Sequence, residues 1–266
     1  MLRRLAFFIS LTLAVPALAQ PVKPPDGLVA PGKLTYGTAA TFAPFEYQEN
    51  GQYLGFDIEF GAAIAKAMGL APSMLDMDFN GLIPALQGKR VDIINSAMYI
   101  NPARASQVDF IPYMRIGNEI IVRKGNPLHI AARSDLCGHR VAVTLGAIEE
   151  TYARAVAADC AKSGKPALVI LSLPTAQDSA LAVRQGRADA EFDSTPGAVV
   201  LTTKFPDAFE IAGAPFETHT LIGIAVRKDD PAMKAAIEAA MHAVVADGTY
   251  AALMAKYHLP AAGSLF

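Results

Sequence analysis

The chain has 266 residues, 52% of them hydrophobic and 18% charged, with 23 Lys and Arg against 25 Asp and Glu for a formal net charge of −2. That apolar share is enough for a sizeable core, and the near-neutral balance excludes a disordered polyelectrolyte and gives no footing for a nucleic-acid partner. Two cysteines are too few for a disulfide scaffold or a four-thiolate zinc site.

Residues 1–19 read as a secretory signal. Arg3 and Arg4 open it, residues 5–15 are apolar, and Ala17-Leu18-Ala19 supplies the small-x-small pattern of a cleavage site. A membrane-spanning helix needs about 20 apolar residues, and Pro16 interrupts this run. With no Cys near the cut, a soluble periplasmic product is expected. In that oxidising compartment Cys137 and Cys160 are expected to pair. Residues 20–32, rich in Pro and Gly, read as a leader.

From Lys33 onward, short β-rich runs alternate with helical patterns. Residues 34–36 form a first strand. Phe60, Ile64 and Met68 recur every fourth residue beside Gly61 and Ala65, which predicts an amphipathic helix over 57–68 ending at Gly69. Leu82, Ile83 and Leu86 mark another helix stopped near Gly88, and 91–94 is a strand. The order then repeats: strand 120–122, a turn at Lys124-Gly125-Asn126-Pro127, strand 140–143, helix 149–161, strand 168–171, helix 176–185, strand 188–192. Gln87-Gly88-Lys89-Arg90-Val91-Asp92 and Gln185-Gly186-Arg187-Ala188-Asp189 are matching junctions, so two similar lobes are expected. Strand 221–227 follows, and Asp229-Asp230-Pro231 opens a long helix, as suits the helix dipole and the missing proline N–H. Met233, Ile237, Met241 and Val244 form its buried stripe; Asp247-Gly248 breaks it before a last helix over 249–257. Strands alternating with helices imply an α/β fold with a mostly parallel sheet.

Chemistry is not announced locally. There is no Gly-rich dinucleotide or phosphate loop, no Gly-x-Ser-x-Gly elbow and no His-Glu-x-x-His. The five histidines (His129, His139, His219, His242, His258) are scattered without ligand spacing. No metal, cofactor or catalytic residue is expected.

Gly55-Phe56-Asp57-Ile58-Glu59-Phe60, backed by Ile64, Ala65 and Met68, resembles the signature of the family 3 periplasmic solute-binding proteins, the amino-acid receptors of ABC importers. Other segments agree in order and spacing: Phe42-Ala43-Pro44-Phe45-Glu46; Leu82-Ile83-Pro84-Ala85-Leu86 with Gly88-Lys89-Arg90-Val91-Asp92; Arg104 with Val108-Asp109-Phe110; Leu136-Cys137-Gly138-His139-Arg140-Val141-Ala142-Val143; and Asp247-Gly248-Thr249-Tyr250. The resemblance covers residues 34–259. It implies a type II clamshell of two α/β lobes, residues 30–118 plus 219–266 and residues 119–218, hinged near 118–120 and 218–221. Such a receptor, a monomer, would trap a small carboxylate-bearing solute by hinge closure and present it to an inner-membrane ABC permease.

The same resemblance implies the site. Arg104 would clamp the carboxylate with its planar fork; otherwise it is a surface arginine pairing with Asp109. Phe42 and Phe79 would sandwich the ligand, though an isolated Phe is usually core. Ser96, Ala97 and Tyr99 would line the segment before Arg104, with Tyr99 larger than the usual residue. Gly146, Ala147 and Ile148 occupy a turn at a helix start whose amides suit an anion. Ile148 lacks the usual hydroxyl, and together with Tyr99 it leans the pocket towards an apolar, aromatic or modified side chain. Asp193 is the candidate for the α-ammonium, one residue early by the family's count; otherwise it is a solvent-facing loop residue. Glu191, Glu46 and Glu149 are reserves. Two alternatives remain: a cyclohexadienyl dehydratase-like enzyme on the same scaffold, with Glu149, Glu150 or Glu191 as general acid, and a sensory module serving a separate membrane partner.

Overall fold

The computed structural model describes residues 22–266; the expected signal segment lies outside them. The chain begins with β1 (Lys33–Thr38), β2 (Thr41–Phe42), β3 (Glu46–Glu49), β4 (Gln52–Leu54), α1 (Phe56–Ala67), β5 (Ala71–Asp76), α2 (Leu82–Gln87), β6 (Ile93–Ile94) and α3 (Pro102–Ala105). A long β7 (Val108–Arg123) leads into β8 (Arg140–Thr144), α4 (Ile148–Lys162), β9 (Val169–Leu173), α5 (Ala176–Arg184), β10 (Ala190–Ser194) and α6 (Thr195–Lys204). An equally long β11 (Phe209–Arg227) returns, followed by α7 (Pro231–Ala246) and α8 (Thr249–Lys256). Among the described residues, no helix is long and apolar enough to cross a membrane.

Hydrogen bonding orders the strands β5-β1-β6-β11-β7-β10-β8-β9, with β2-β3-β4 a separate small sheet. β1 runs parallel to β5 and β6, and β8 runs parallel to β9 and β10. Antiparallel pairing enters where β7 and β11 join these two parallel groups. β7 and β11 pair along their length, with register shifts around Phe216. There they pass from one hydrophobic core to another. Leu34, Phe56, Phe60, Ile64, Ile237 and Met241 share the largest core, and α2 packs on a neighbouring one. Residues between Ile120 and Phe216 supply the other two.

Local chemistry explains the ends of α1. Gly55 holds φ +130° and its α-carbon lies so close to the Phe45 carbonyl that a side chain would collide with it, a conformation left to glycine. Phe56 then packs among Phe60, Tyr113 and Tyr250, turning Asp57 inward. Cys137 and Cys160 form the expected disulfide, 23 residues apart in sequence. It ties the end of α4 to the turn that precedes β8 and, by loop-closure entropy, is worth about 3 kcal/mol.

Some elements differ from expectation. Strand 91–94 shrinks to Ile93–Ile94 because the Asp92 carboxylate takes the amides of Val29 and Thr35. The stretch after Ser194 is a helix, capped by that serine's hydroxyl with Pro196 in its first turn. The strand endings at 120–122 and 221–227 belong to strands of 16 and 19 residues.

Candidate binding cleft

A cleft opens between the two groups of cores. Residues from the first part of the chain form one wall. Phe42, at the end of β2, stacks on Phe45 with ring centroids 5.5 Å apart, and Phe79 stands nearby. Ala97 and Tyr99 complete this wall. Ala97 takes φ +35°, a left-handed conformation that a non-glycine residue adopts only when held there. The hold is Asp57, which accepts the Ala97 amide at 2.5 Å and the Tyr113 hydroxyl at 2.8 Å.

Ser96 is not a wall residue. Its fully buried hydroxyl accepts from the Ala39 amide and donates to Glu46 at 2.9 Å, so it stands behind the surface. Glu46 in turn hydrogen-bonds Asp57, and burial raises both carboxyls above their usual range. That removes Glu46 from the candidates for a ligand ammonium.

Arg104 sits on α3, a single turn capped by Asn101, whose side chain accepts the Arg104 amide at 2.8 Å. Its guanidinium is buried, lies 5.2 Å from the Phe79 ring centre, and donates to the Tyr99 carbonyl at 2.6 Å and the Gly146 carbonyl at 2.9 Å. It therefore touches both walls at the cleft's edge. Burial lowers its pKa, and the Glu149 charge opposes that shift. Asp109, the alternative partner, pairs instead with Lys228 and Lys234.

The opposite wall is acidic. Ala147 and Ile148 line it at the start of α4, followed by Glu149; Glu191 and Asp193 come from β10. Gly146 is set back, its amide donating to Glu150 at 2.9 Å. Glu150 also accepts from Arg154 and Ser172. A carboxylate thus takes the Gly146 amide in the turn expected to suit an anion, and Glu149 faces the same helix start. Asp193 accepts the Ser194 amide at 2.6 Å. Successive strand side chains alternate, so Glu191 and Asp193 point the same way.

The electrostatics follow from crowding. Burial pushes Glu149 up to about 7, with the helix amide and Arg104 pulling it back. Burial and then the Glu149 charge push Asp193 up to about 8. Burial and then the Asp193 charge push Glu191 well above the usual carboxylate range. Among the described residues, one carboxylate oxygen of Glu149 and one of Glu191 have no hydrogen-bond partner.

Of the expected residues, Phe42, Phe79, Ala97, Tyr99, Ala147, Ile148 and Asp193 line one cleft, with Arg104 and Gly146 at its margin. Glu149 and Glu191, held in reserve from sequence, line it too. Thr41, Thr144 and Ser179 also line it and were not foreseen. The i, i+2 spacing from Asp193 was the available signal for Glu191.

Comparison with known proteins places this geometry. The model of the bacterial extracellular solute-binding proteins, family 3, matches residues 34–260. The L-cystine-binding protein TcyJ of Escherichia coli (strain K12) is 30% identical over 228 residues, covering 85% of this chain and 82% of that protein. The arginine-binding extracellular protein ArtP of Bacillus subtilis (strain 168) is 44% identical over 118 residues, less than half of either chain. Among solved structures, an ancestral arginine-binding protein bound to arginine superposes with a TM-score of 0.79 at 34% identity, covering 85% of this chain and 98% of that one. AncCDT-1, an ancestral amino-acid-binding protein described as a precursor of cyclohexadienyl dehydratase, superposes with a TM-score of 0.74 at 32% identity, covering 85% and 95%. The chain belongs to the family 3 solute-binding proteins.

Proposed function

We propose that this family 3 solute-binding protein is the periplasmic receptor of an ABC importer and binds an α-amino acid or close relative in the cleft. The observation that carries the reading is the buried Arg104 guanidinium, which spans the two walls beside an aromatic ring and faces a wall holding Asp193. A ligand carboxylate would take Arg104 from the two carbonyls it now serves, and Asp193 would take the ammonium. Phe42 and Phe79 would cover the ligand's body. The relatives are named as receptors for arginine and for cystine, whose shared part is the α-amino acid group.

We place the lobes at residues 30–118 plus 219–266 and residues 119–218. The hinge lies where β7 and β11 slip register around Phe216. Closure brings both walls onto the ligand, so the ligand's preference for the closed form sets the population. The monomer reaches the periplasm through the signal at residues 1–19, and the closed form is what the permease recognises.

Arg104→Ala tests the reading. Thermal shift and calorimetry over the twenty amino acids should show a ligand for the native protein, and at least a hundredfold loss of affinity in the variant with a native circular dichroism spectrum. Unchanged affinity would remove the carboxylate clamp.

A second reading has one observation in its favour. Glu149, raised to about 7 and partly unpartnered, is poised as a general acid would be. Release of an aromatic product from prephenate or arogenate would establish the enzyme; no release leaves the receptor.

A further inference from the structure

The cleft holds more acid than an α-amino group can use. An α-amino acid brings one carboxylate, matched by Arg104, and one ammonium, matched by one acid. Three carboxyl groups face the space: Glu149, Glu191 and Asp193. Two of them are therefore surplus. Glu191 is 2% exposed and Glu149 5% exposed, and each leaves an oxygen unpartnered among the described residues. Burying a carboxylate without a partner costs several kcal/mol, so the wall needs either protons or a cation.

Position separates the three. Asp193 and Glu149 influence each other, and Glu149 is also close enough to stabilise the Arg104 charge. Glu191 feels the Asp193 charge and lies two residues before it on β10; Arg104 is not among the groups that shift it. Two residues of strand advance about 6.6 Å. Five or six single bonds of about 1.5 Å, laid out as a zigzag, separate the two nitrogens of an extended ornithine or lysine by a similar span. Thr144 and Ser179, also in this wall, add hydroxyls that can accept from a cationic group.

We propose that Glu191 forms a cation subsite distinct from Asp193, and that the ligand is an amino acid whose side chain ends in an ammonium or guanidinium group. The proposal rests on the amino-acid reading above. It reverses the lean towards an apolar side chain, which came from Tyr99 and Ile148 alone. Those two residues supply the sides of the channel, and the acids supply its end.

Arginine and citrulline separate the proposal from its premise, because citrulline keeps the shape of arginine and lacks the charge. Calorimetry on the native protein should show arginine, lysine or ornithine binding at least a hundredfold more tightly than citrulline or leucine. Glu191→Gln should reduce that preference at least tenfold. Citrulline or leucine binding as tightly as the cationic amino acids would overturn the subsite and leave the receptor standing. So would a Glu191→Gln variant with the native ratio. If no amino acid of any class binds, the receptor reading falls with it. If the variant does not fold, the native arginine-to-citrulline ratio still decides.

Discussion

Buried acids sit on both sides of the cleft, and Asp57 on one side contrasts with Glu149 and Glu191 on the other. In the first half Asp57 is fully buried, yet it accepts the Ala97 amide and the Tyr113 hydroxyl, and it shares a hydrogen bond with Glu46. In the second half Glu191 and Glu149 are nearly as buried and retain oxygens without partners. A carboxyl whose hydrogen bonds come from its own chain is part of the scaffold. Glu46 also keeps one oxygen unpartnered but lies behind the cleft surface, whereas Glu149 and Glu191 keep theirs while lining the cleft, set for something that arrives later. The first wall accordingly fixes shape, through Ala97, Phe42 and Phe79, while the second holds the charge.

Asp57→Ala attacks the scaffold side and should have the largest effect. It strands the Tyr113 hydroxyl and the Ala97 amide, each costing about 1–3 kcal/mol when buried and unpaired. Urea denaturation should show a loss of about 3 kcal/mol or more, and Ala97 should no longer hold its strained conformation. A loss below about 1 kcal/mol would mean that Asp57 is not the anchor. Glu191→Gln should act in the other direction on the ligand-free protein. It replaces an ionisable buried group by a neutral one of the same shape, so at pH 8 the melting midpoint should hold or rise by about 2–4 °C, the shift that 1 kcal/mol produces at this chain length. A lower midpoint would place Glu191 with Asp57 as scaffold.

The sequence carried the two halves unequally. Helices with one buried stripe were legible: Phe60 and Ile64 in α1, and Met233, Ile237, Met241 and Val244 in α7, are all buried. Periodicity reports burial on one face, and these faces meet one core. β7 and β11 were seen only at their ends, because each runs from one core to another and its middle carries Asn118 or Glu217-Thr218-His219, polar residues that resemble a loop. Helix α6 was hidden by Thr195-Pro196-Gly197, which reads as a turn, although Ser194 followed by Pro196 is a helix-start pattern. In the site, the family resemblance led to Arg104 and Asp193. It kept Glu191 only as a reserve, since a strand carboxylate declares its environment only once the opposite wall is known.

The pH response follows from the same wall. Glu149 at about 7, Asp193 at about 8 and Glu191, held well above the usual carboxylate range by burial and the Asp193 charge, lie above the values near 4 of an unfolded chain. Between about pH 4 and 8 the folded protein therefore binds more protons than the unfolded one. Stability from these groups is fully present below pH 4 and is lost as pH rises through 7 and 8. The buried Glu46–Asp57 pair adds in the same direction. Thermal melts of the ligand-free protein should show a midpoint falling from pH 5 to pH 8. A cationic amino acid should oppose that slope. It meets Glu149, Asp193 and Glu191 best when they are ionised, with Arg104 the facing cation and Tyr99 and Tyr152 remaining protonated, their values raised by burial. Affinity should therefore tighten from pH 6 to 8. A ligand-free midpoint that climbs towards pH 8 would contradict the raised carboxyls.

The smallest change tests the division between the walls most cleanly. Gly197 lies in the first turn of α6, and a β-carbon there would fall 2.5 Å from an Asp193 carboxylate oxygen and 2.8 Å from its carboxyl carbon. The aspartate is short and its neighbour Ser194 is committed to capping the helix, so the carboxylate must rotate away. Alanine otherwise favours a helix over glycine by about 1 kcal/mol, which offsets part of the crowding. Gly197→Ala should therefore leave stability within about 1 kcal/mol of native while weakening amino-acid binding about tenfold, with no charge altered anywhere. In an Asp193→Asn background the added alanine should cost much less affinity, since the ionic contact it displaces is already gone. Equal losses in both backgrounds would mean that Gly197 acts on the cleft by another route and that Asp193 does not hold the ammonium.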